Sequence, residues 1–362
     1  MKVTILHDWL RSRGGAEEVL KELLHLYPEA PLYTLVDHLS PLIREELLGE
    51  KVPTTHWIQR VPTGLFPLLF PLLPTLFRGF KLPESDLIIS SSWSFGKNIL
   101  PPEGALHICY CHTPPRYIWD LYWEYRNQLP LPLRPFFGIM ARYLRKQDLK
   151  FKVDQFIANS KFVAERIERI YRRKAKVIYP PVDLDRIQLG EEREREEFYL
   201  VVSRLVPYKK IDLIIEAFNS LGKELIIIGD GPQRKRLERL AGPTVQLLGY
   251  QSDGVVAEYY RRAKGFVYGA LEDFGIAVVE AMGAGTPVVA YRVGGTGESV
   301  IDGVTGILYS EQSVAGLVEG VKRLEQQEWN REQIRAHALK FKPERFRQEF
   351  RQVVEELLER RG

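Results

Sequence analysis

The sequence predicts an α/β protein made of two doubly wound, parallel-sheet halves, and three observations predict it. At 362 residues the chain exceeds what one hydrophobic core comfortably serves, so two domains are expected. Short apolar runs alternate with amphipathic segments along its length, and that alternation builds parallel sheets joined by crossover helices. A charge run, Glu191-Glu192-Arg193-Glu194-Arg195-Glu196-Glu197, separates two such series and reads as a solvated seam.

In the first half, residues 3–6, 87–90, 106–111 and 156–159 read as buried strands. Residues 16–26, 39–48 and 163–170 repeat apolar side chains at spacings of three and four, the helical signature. In the second half, 199–203, 225–229, 245–248, 265–268 and 287–290 read as strands, with helices between them. Residues 343–361 read as a terminal helix. The domains are drawn at 1–185 and 196–342, and the terminal helix 343–362 lies beyond both ranges in sequence.

Composition narrows the function classes. The chain is 45% hydrophobic and 27% charged, ordinary for a globular protein. Its net charge of +4, from 51 basic and 47 acidic residues, lacks the clustered basic face that nucleic acid requires, though it permits contact with anionic lipid. The two cysteines, Cys109 and Cys111, stand too close for a metal pair and read as buried free thiols in a reducing cytosol. The start Met1-Lys2-Val3-Thr4-Ile5-Leu6 reads as a strand rather than a secretory leader, so a cytoplasmic protein is expected. No run reaches the roughly 18 apolar residues of a spanning helix. The stretch 65–77, broken by three prolines, reads two ways. One is a core helix pair; the other is an interfacial segment dipping into an anionic membrane, with Arg60, Arg78 and Lys81 snorkelling beside it.

The most informative segment is 272–287. Glu272 and Glu280 stand with seven residues between them around a turn. The backbone amides of Phe274, Gly275 and Ile276 come where a helix begins, and helix N-termini attract anions and hydroxyls. One βα unit thus offers an amide nest, a carboxylate at its mouth and a second carboxylate behind, which suits a hydroxyl-rich, phosphorylated ligand. Arg204 and Lys209 leave the end of strand 199–203, where two cations can meet a diphosphate. Gly229-Asp230-Gly231-Pro232 ends another strand and lets backbone approach a nucleotide closely, yet lacks the G-x-G-x-x-G spacing of a dinucleotide fingerprint. Gly14 and Gly15 follow the first strand, and His112 follows the strand 106–111. Asp253 reads equally as a base-reading group and as a helix N-cap. Asp183-Leu184-Asp185 reads as a cap rather than a metal-ligand pair.

These motifs, in this order, resemble the retaining glycosyltransferases of family four over nearly the whole chain. Cys109–Tyr117 and Glu272–Ile276 are similar to bacterial and archaeal mannosyltransferases that use GDP-mannose in O-antigen and exopolysaccharide assembly. The resemblance implies the GT-B fold, two Rossmann-like domains facing a central cleft, with the last helix crossing back onto the first. It implies that Arg204 and Lys209 hold the donor diphosphate, that Glu280 accepts from the ribose hydroxyls, and that Glu272 lies near the donor sugar without acting as a nucleophile. Phe274, Gly275 and Ile276 would meet sugar and phosphate through their amides. Gly14 and Gly15 would lie under the donor phosphate and the acceptor, Gly231 beside the nucleotide, and His112 beside the reacting carbon as a positioning group. His7-Asp8 is a second acceptor-side candidate, and Arg116, Tyr117, Trp119 and Asp120 crowd the same loop.

The expected donor is GDP-mannose, with Asp253 accepting from the guanine amine, and no metal or other cofactor is needed. The expected acceptor is a glycan or lipid-linked hydroxyl, with peripheral contact to the inner face of the cell membrane. A UDP-sugar-dependent transferase of the same fold and a non-catalytic nucleotide-sugar-binding protein are the alternatives.

Overall fold

The computed structural model describes residues 1–191 and 194–361; Glu192 and Arg193 of the charge seam, and Gly362, lie outside the described residues. The chain divides into two compact units, one comprising Met1–Pro180 with the stretch from Phe346, the other Pro181–Arg345.

The first unit holds seven strands, β1 (Val3–His7), β2 (Leu32–Thr34), β3 (Thr54–Thr55), β4 (Leu87–Ser92), β5 (Leu106–Cys111), β6 (Gln155–Ala158) and β7 (Ala175–Val177). They lie in the order β3-β2-β1-β4-β5-β6-β7, every pairing parallel. The chain lays β2 and β3 on one side of β1, then crosses to place β4 on the other. The order therefore reverses between β1 and β4, and ligands of open α/β sheets bind beyond the carboxyl ends of strands at such a reversal. His7 ends β1, Ser91 and Ser92 end β4, and His112 follows β5.

Strand alternation sends Ile5, Ile89 and Ile108 into one core and Leu6 and Ile88 into another, as a sheet covered on both faces requires. Cys109 and Cys111 share a third cluster with Phe156 and Tyr171. Both are free thiols, and burial pushes the Cys111 thiol well up. The helix Pro343–Glu359 contributes Phe346, Phe350, Val353 and Val354 to the first core.

The second unit holds β8 (Tyr199–Val202), β9 (Leu225–Ile228), β10 (Val245–Gly249), β11 (Gly265–Tyr268), β12 (Val288–Tyr291) and β13 (Gly306–Tyr309), all parallel in the order β10-β9-β8-β11-β12-β13. Here the reversal falls between β8 and β11. Arg204 and Lys209 follow β8, Tyr268 ends β11, and Glu272 follows it. Both units are thus the doubly wound type that the alternation predicts. Polar caps start several helices: Ser160, Ser313 and Asn330 accept from Val163, Gly316 and Gln333 amides, each worth about 1 kcal/mol.

Local differences have physical reasons. Strands β2, β3 and β7 have two or three residues each, too few to show a periodicity. The helix after the Gly229–Pro232 turn starts at Arg234, two residues beyond Pro232. The stretch 65–77 is partly buried. It forms a 3-10 helix Thr63–Leu72 and an α-helix Leu73–Arg78. Phe66, Leu73, Leu76 and Phe77 are buried, whereas Leu65, Leu68 and Leu72 are exposed. Among the described residues no helix is long and apolar enough to cross a membrane.

Candidate active site

Each unit carries one cluster of polar groups at its strand-order reversal. In the first unit the Ser91 hydroxyl lies 3.1 Å from His7 Nδ1 and 2.8 Å from His112 Nε2. A hydroxyl has one proton, so it donates to one ring and accepts N–H from the other. Asn159 Nδ2 donates to the His112 carbonyl at 3.0 Å, and the Trp93 ring stands edge-on to both imidazoles, with centroids 4.9 and 5.8 Å away. Burial, reinforced by neighbouring His7, holds His112 well below the usual imidazole range. His112 is therefore a neutral ring near pH 7, suited to positioning hydroxyls rather than to donating a proton. Glu17 Oε1 lies 3.7 Å from His7 Nε2, and that buried nitrogen has no hydrogen-bond partner.

Asp8 does not open onto this cluster. Its buried carboxylate accepts from the amides of Trp93 at 2.7 Å, Ser94 at 2.6 Å and Gly96 at 2.8 Å, and from the Ser92 hydroxyl. Burial raises its pKa and those donors oppose the rise. Asp8 is thus the clamp of the loop after β4, a correction to its reading as an acceptor-side group. Gly14 N-caps the helix Gly15–Leu26, its carbonyl accepting from Glu17 and Glu18. Trp119 and Asp120, which crowd the loop after His112, are spent within the fold: the indole N–H donates to Asp148 at 2.8 Å, and Asp120 pairs with Arg166 and Arg169. Tyr117 donates to or accepts from Ser94 at 3.2 Å.

In the second unit, Lys209 ends a 3-10 turn after β8 and pairs with Glu272. Its ammonium also reaches the Tyr268 hydroxyl at 2.8 Å, which donates to Glu272 Oε2 at 2.8 Å. Burial, the largest single influence, works against the Lys209 charge, but Glu272, Tyr268 and Tyr208 together outweigh it and the lysine titrates above its ordinary range. Arg204, two residues beyond β8, is exposed. Gly229 and Gly231 serve close approach: a Cβ would meet Ser203 O at 1.9 Å and Leu205 O at 2.5 Å respectively. They lock the turn after β9 against the segment that carries Arg204.

Gly275, at φ 90°, N-caps the helix Ile276–Gly283, and a Cβ there would meet Thr296 Cγ2 at 2.9 Å. Only glycine adopts that backbone at low cost, so the turn that directs the first amides of the helix depends on it. Phe274, by contrast, is buried against Phe341. Glu280, one turn into the helix, accepts from Arg186 Nη2 at 2.5 Å and from the Tyr260 hydroxyl at 3.2 Å. Burial raises its pKa, and Arg186 opposes that rise. Arg186 also pairs with Asp253, which is the first residue of the helix Asp253–Arg262 while Ser252 takes the N-cap position. The N-cap reading of Asp253 is thereby corrected. Asp183 Oδ1 accepts from the Asp185 amide at 3.1 Å and Asp185 pairs with Lys342, a local turn as the sequence suggests.

Four partners in these clusters escaped the sequence. Arg186 is 67 and 94 residues from its two carboxylates, and Ser91 is 84 residues from His7; separations of this length leave no local pattern. Tyr260 and Tyr268 had a weak signal, since a tyrosine ending a buried strand or helix places its hydroxyl at a polar rim.

The family model described as Glycosyltransferase Family 4 matches residues 13–186, and the one described as Glycosyl transferases group 1 matches residues 185–341. An uncharacterised glycosyltransferase of Methanocaldococcus jannaschii is 31% identical over 251 residues, 65% of this chain and 69% of that protein. A D-inositol 3-phosphate glycosyltransferase of Catenulispora acidiphila is 29% identical over 51% of this chain and 52% of its own length, so the chain spans about half of that relative. Among solved structures, Anabaena HepE in complex with UDP-glucose superposes over 98% of this chain and 100% of its own, with a TM-score of 0.74 at 19% identity. Sucrose-phosphate synthase of Thermosynechococcus elongatus superposes over 99% of each chain, with a TM-score of 0.72 at 19% identity.

Proposed function

This chain belongs to the family 4 glycosyltransferases, and from that premise we propose that it moves mannose from GDP-mannose onto a hydroxyl of a glycan or lipid-linked acceptor, with retention and without a metal. The observation that carries the proposal is the pairing of each carboxylate of the 272–280 turn with its own cation, Lys209 for Glu272 and Arg186 for Glu280. Arg204 and Lys209 would neutralise the donor diphosphate, the charge a metal would otherwise meet. Glu272, neutralised by Lys209 and Tyr268, is a poor nucleophile, which favours front-face substitution. The sugar C1–phosphate bond breaks as the acceptor oxygen bonds C1 on the same face, and the acceptor proton passes to the leaving phosphate oxygen. Lys209 stabilises the charge gathering there. His112 and His7 of the first unit would orient the sugar and acceptor hydroxyls, with Gly14 and Gly15 beneath them. An acceptor carried on a lipid would bring the enzyme to a membrane surface.

Glu280 would accept from both ribose hydroxyls, a role that needs the ionised carboxylate. Replacing Arg186 with methionine removes the cation that opposes the upward shift of Glu280, so the carboxyl protonates at a higher pH. Nucleotide affinity of Arg186→Met is expected to fall about tenfold to a hundredfold, with the loss deepening as pH falls and easing as it rises. The other groups facing Glu280 are Tyr260 and Asp253, and neither supplies a positive charge. Calorimetric titration with GDP across a pH series checks this; a loss parallel to wild type at every pH contradicts it.

The same Arg186–Asp253 pair favours a second reading, a UDP-sugar donor, because Asp253 is engaged before any guanine amine arrives. A thermal-shift panel of GDP, UDP, ADP, GDP-mannose and NAD without added metal separates the two. A ligand at a hundred times its dissociation constant should add about 2.7 kcal/mol. Selective stabilisation by GDP and GDP-mannose supports the mannosyl reading. Response to UDP alone removes Asp253 as a guanine reader and redirects the donor. Silence toward every nucleotide, in a protein that melts cooperatively, overturns the donor site.

A further inference from the structure

We propose that the first unit docks on an anionic bilayer through one basic, apolar face formed by residues 56–82 and 122–152. The sequence points to the stretch 65–77, and the fold sets the segment 122–152 beside it. The helix Arg134–Asp148 turns Ala141 and Leu144 into the core, yet carries Phe136 and Ile139 outward at 68% and 61% exposure. A helix that buries a single stripe has polar residues on its outer side. This one sets Phe136, Ile139 and Tyr143 on its outer side beside the exposed Arg142 and Lys146. Leu68, at 73% exposure, and Pro71 come up beside it, and with Leu133, Phe136, Ile139 and Tyr143 they line an open groove of about 710 Å³. A contiguous apolar patch of this kind on a folded domain marks an interaction site.

Charge identifies the occupant. The two segments hold ten Lys and Arg against Glu124 and Asp148, and Asp148 is buried against Lys97. They therefore carry a net +8 in a chain whose total is +4, so the remaining residues sum to −4. Arg60, Lys81, Arg142, Lys146, Lys150 and Lys152 are all exposed. A second copy of this face would meet +8 with +8, which opposes self-association. An anionic lipid surface is complementary: each Lys or Arg near it gains about 1 kcal/mol, while the aliphatic side chains enter the acyl boundary. Trp123, exposed, and Tyr125, exposed, lie in the same segment, where aromatic rings suit the headgroup level. The inference is independent of which sugar is moved.

Flotation of the full chain with vesicles tests it. The protein is expected to float with vesicles of phosphatidylcholine and phosphatidylglycerol at low salt, to stay behind with phosphatidylcholine alone, and to be released by high salt. Phe136→Ser/Ile139→Ser should weaken that partitioning at least about tenfold with unchanged melting and unchanged GDP binding. Arg142→Glu/Lys146→Glu/Lys150→Glu, which alters only exposed positions, should abolish it and serves if the serine variant fails to fold. Failure of the wild type to float with anionic vesicles at low salt overturns the proposal. So does flotation unaltered by both variants, or concentration-dependent dimerisation through this face with vesicles ignored.

Discussion

Lys209→Ala is expected to lower turnover by about 10²–10³-fold while weakening nucleotide binding far less. The asymmetry follows from where charge appears. On the proposed function the diphosphate would already meet Arg204 in the ground state, while Lys209 is held by Glu272 and Tyr268. As the glycosidic bond breaks, another negative charge gathers on the leaving phosphate, and a largely buried ammonium interacts with it more strongly than a solvated one would. An interaction strengthened in the transition state appears in kcat; one equal in both states appears only in binding. The substitution also strips Glu272 of its cation, so Lys209→Arg, which keeps the charge, is the control for a merely disrupted turn. Tyr268→Phe gives a second control, removing one donor to Glu272 without removing charge. Steady-state transfer rates beside GDP titrations check the expectation. Equal losses in turnover and in GDP affinity would make Lys209 a uniform binder, and unchanged turnover would remove it from the chemistry.

The fold was largely legible because its signals are local. Runs such as Leu225–Ile228 and Gly265–Tyr268 are apolar throughout, as strands covered on both faces must be, and helices such as Lys161–Tyr171 announce themselves by spacing and by a serine cap. The short strands β2, β3 and β7 were not legible, since pairing with a long neighbour rather than their own pattern makes them strands. The candidate site divides the same way. Glu272, Gly275, Glu280, Arg204 and Lys209 lie in compact motifs beside strand ends and were readable as a set. Their partners were not: Tyr268 meets Lys209 across 59 residues, and Arg186 reaches Glu280 across 94. Asp8 shows the opposite error. It sits beside His7 at the strand end, where position suggests a ligand group, yet four donors from the end of β4 and the loop after it consume its carboxylate.

Asp148→Ala is expected to destabilise the first unit by about 3–5 kcal/mol, a large share of a typical domain's total. Lys97 and Asp148 are 1% and 0% exposed. Asp148 also accepts from Trp119 Nε1 at 2.8 Å and from the Tyr171 hydroxyl at 2.9 Å, and burial with that negative neighbour pushes the Tyr171 phenol well up. Lys97 donates further to the Ser94 carbonyl at 3.1 Å. The pair fastens the end of the helix Arg134–Asp148 to the loop that Asp8 clamps beside His112. Removing the carboxylate strands a buried ammonium and orphans two further donors, which costs more than the pair contributes over an apolar replacement. The double variant Lys97→Met/Asp148→Leu should therefore recover the share of the loss due to the stranded ammonium, leaving only the Trp119 and Tyr171 donors orphaned, a coupling that simple additivity forbids. Five of the six tryptophans lie before residue 181, so urea unfolding followed by indole fluorescence reports mainly on this unit. A single variant within about 1 kcal/mol of wild type would mean that water reaches the pair. A double variant as unstable as the summed singles would mean that the two side chains act separately, and the loop beside His112 would then be held by Asp8 alone.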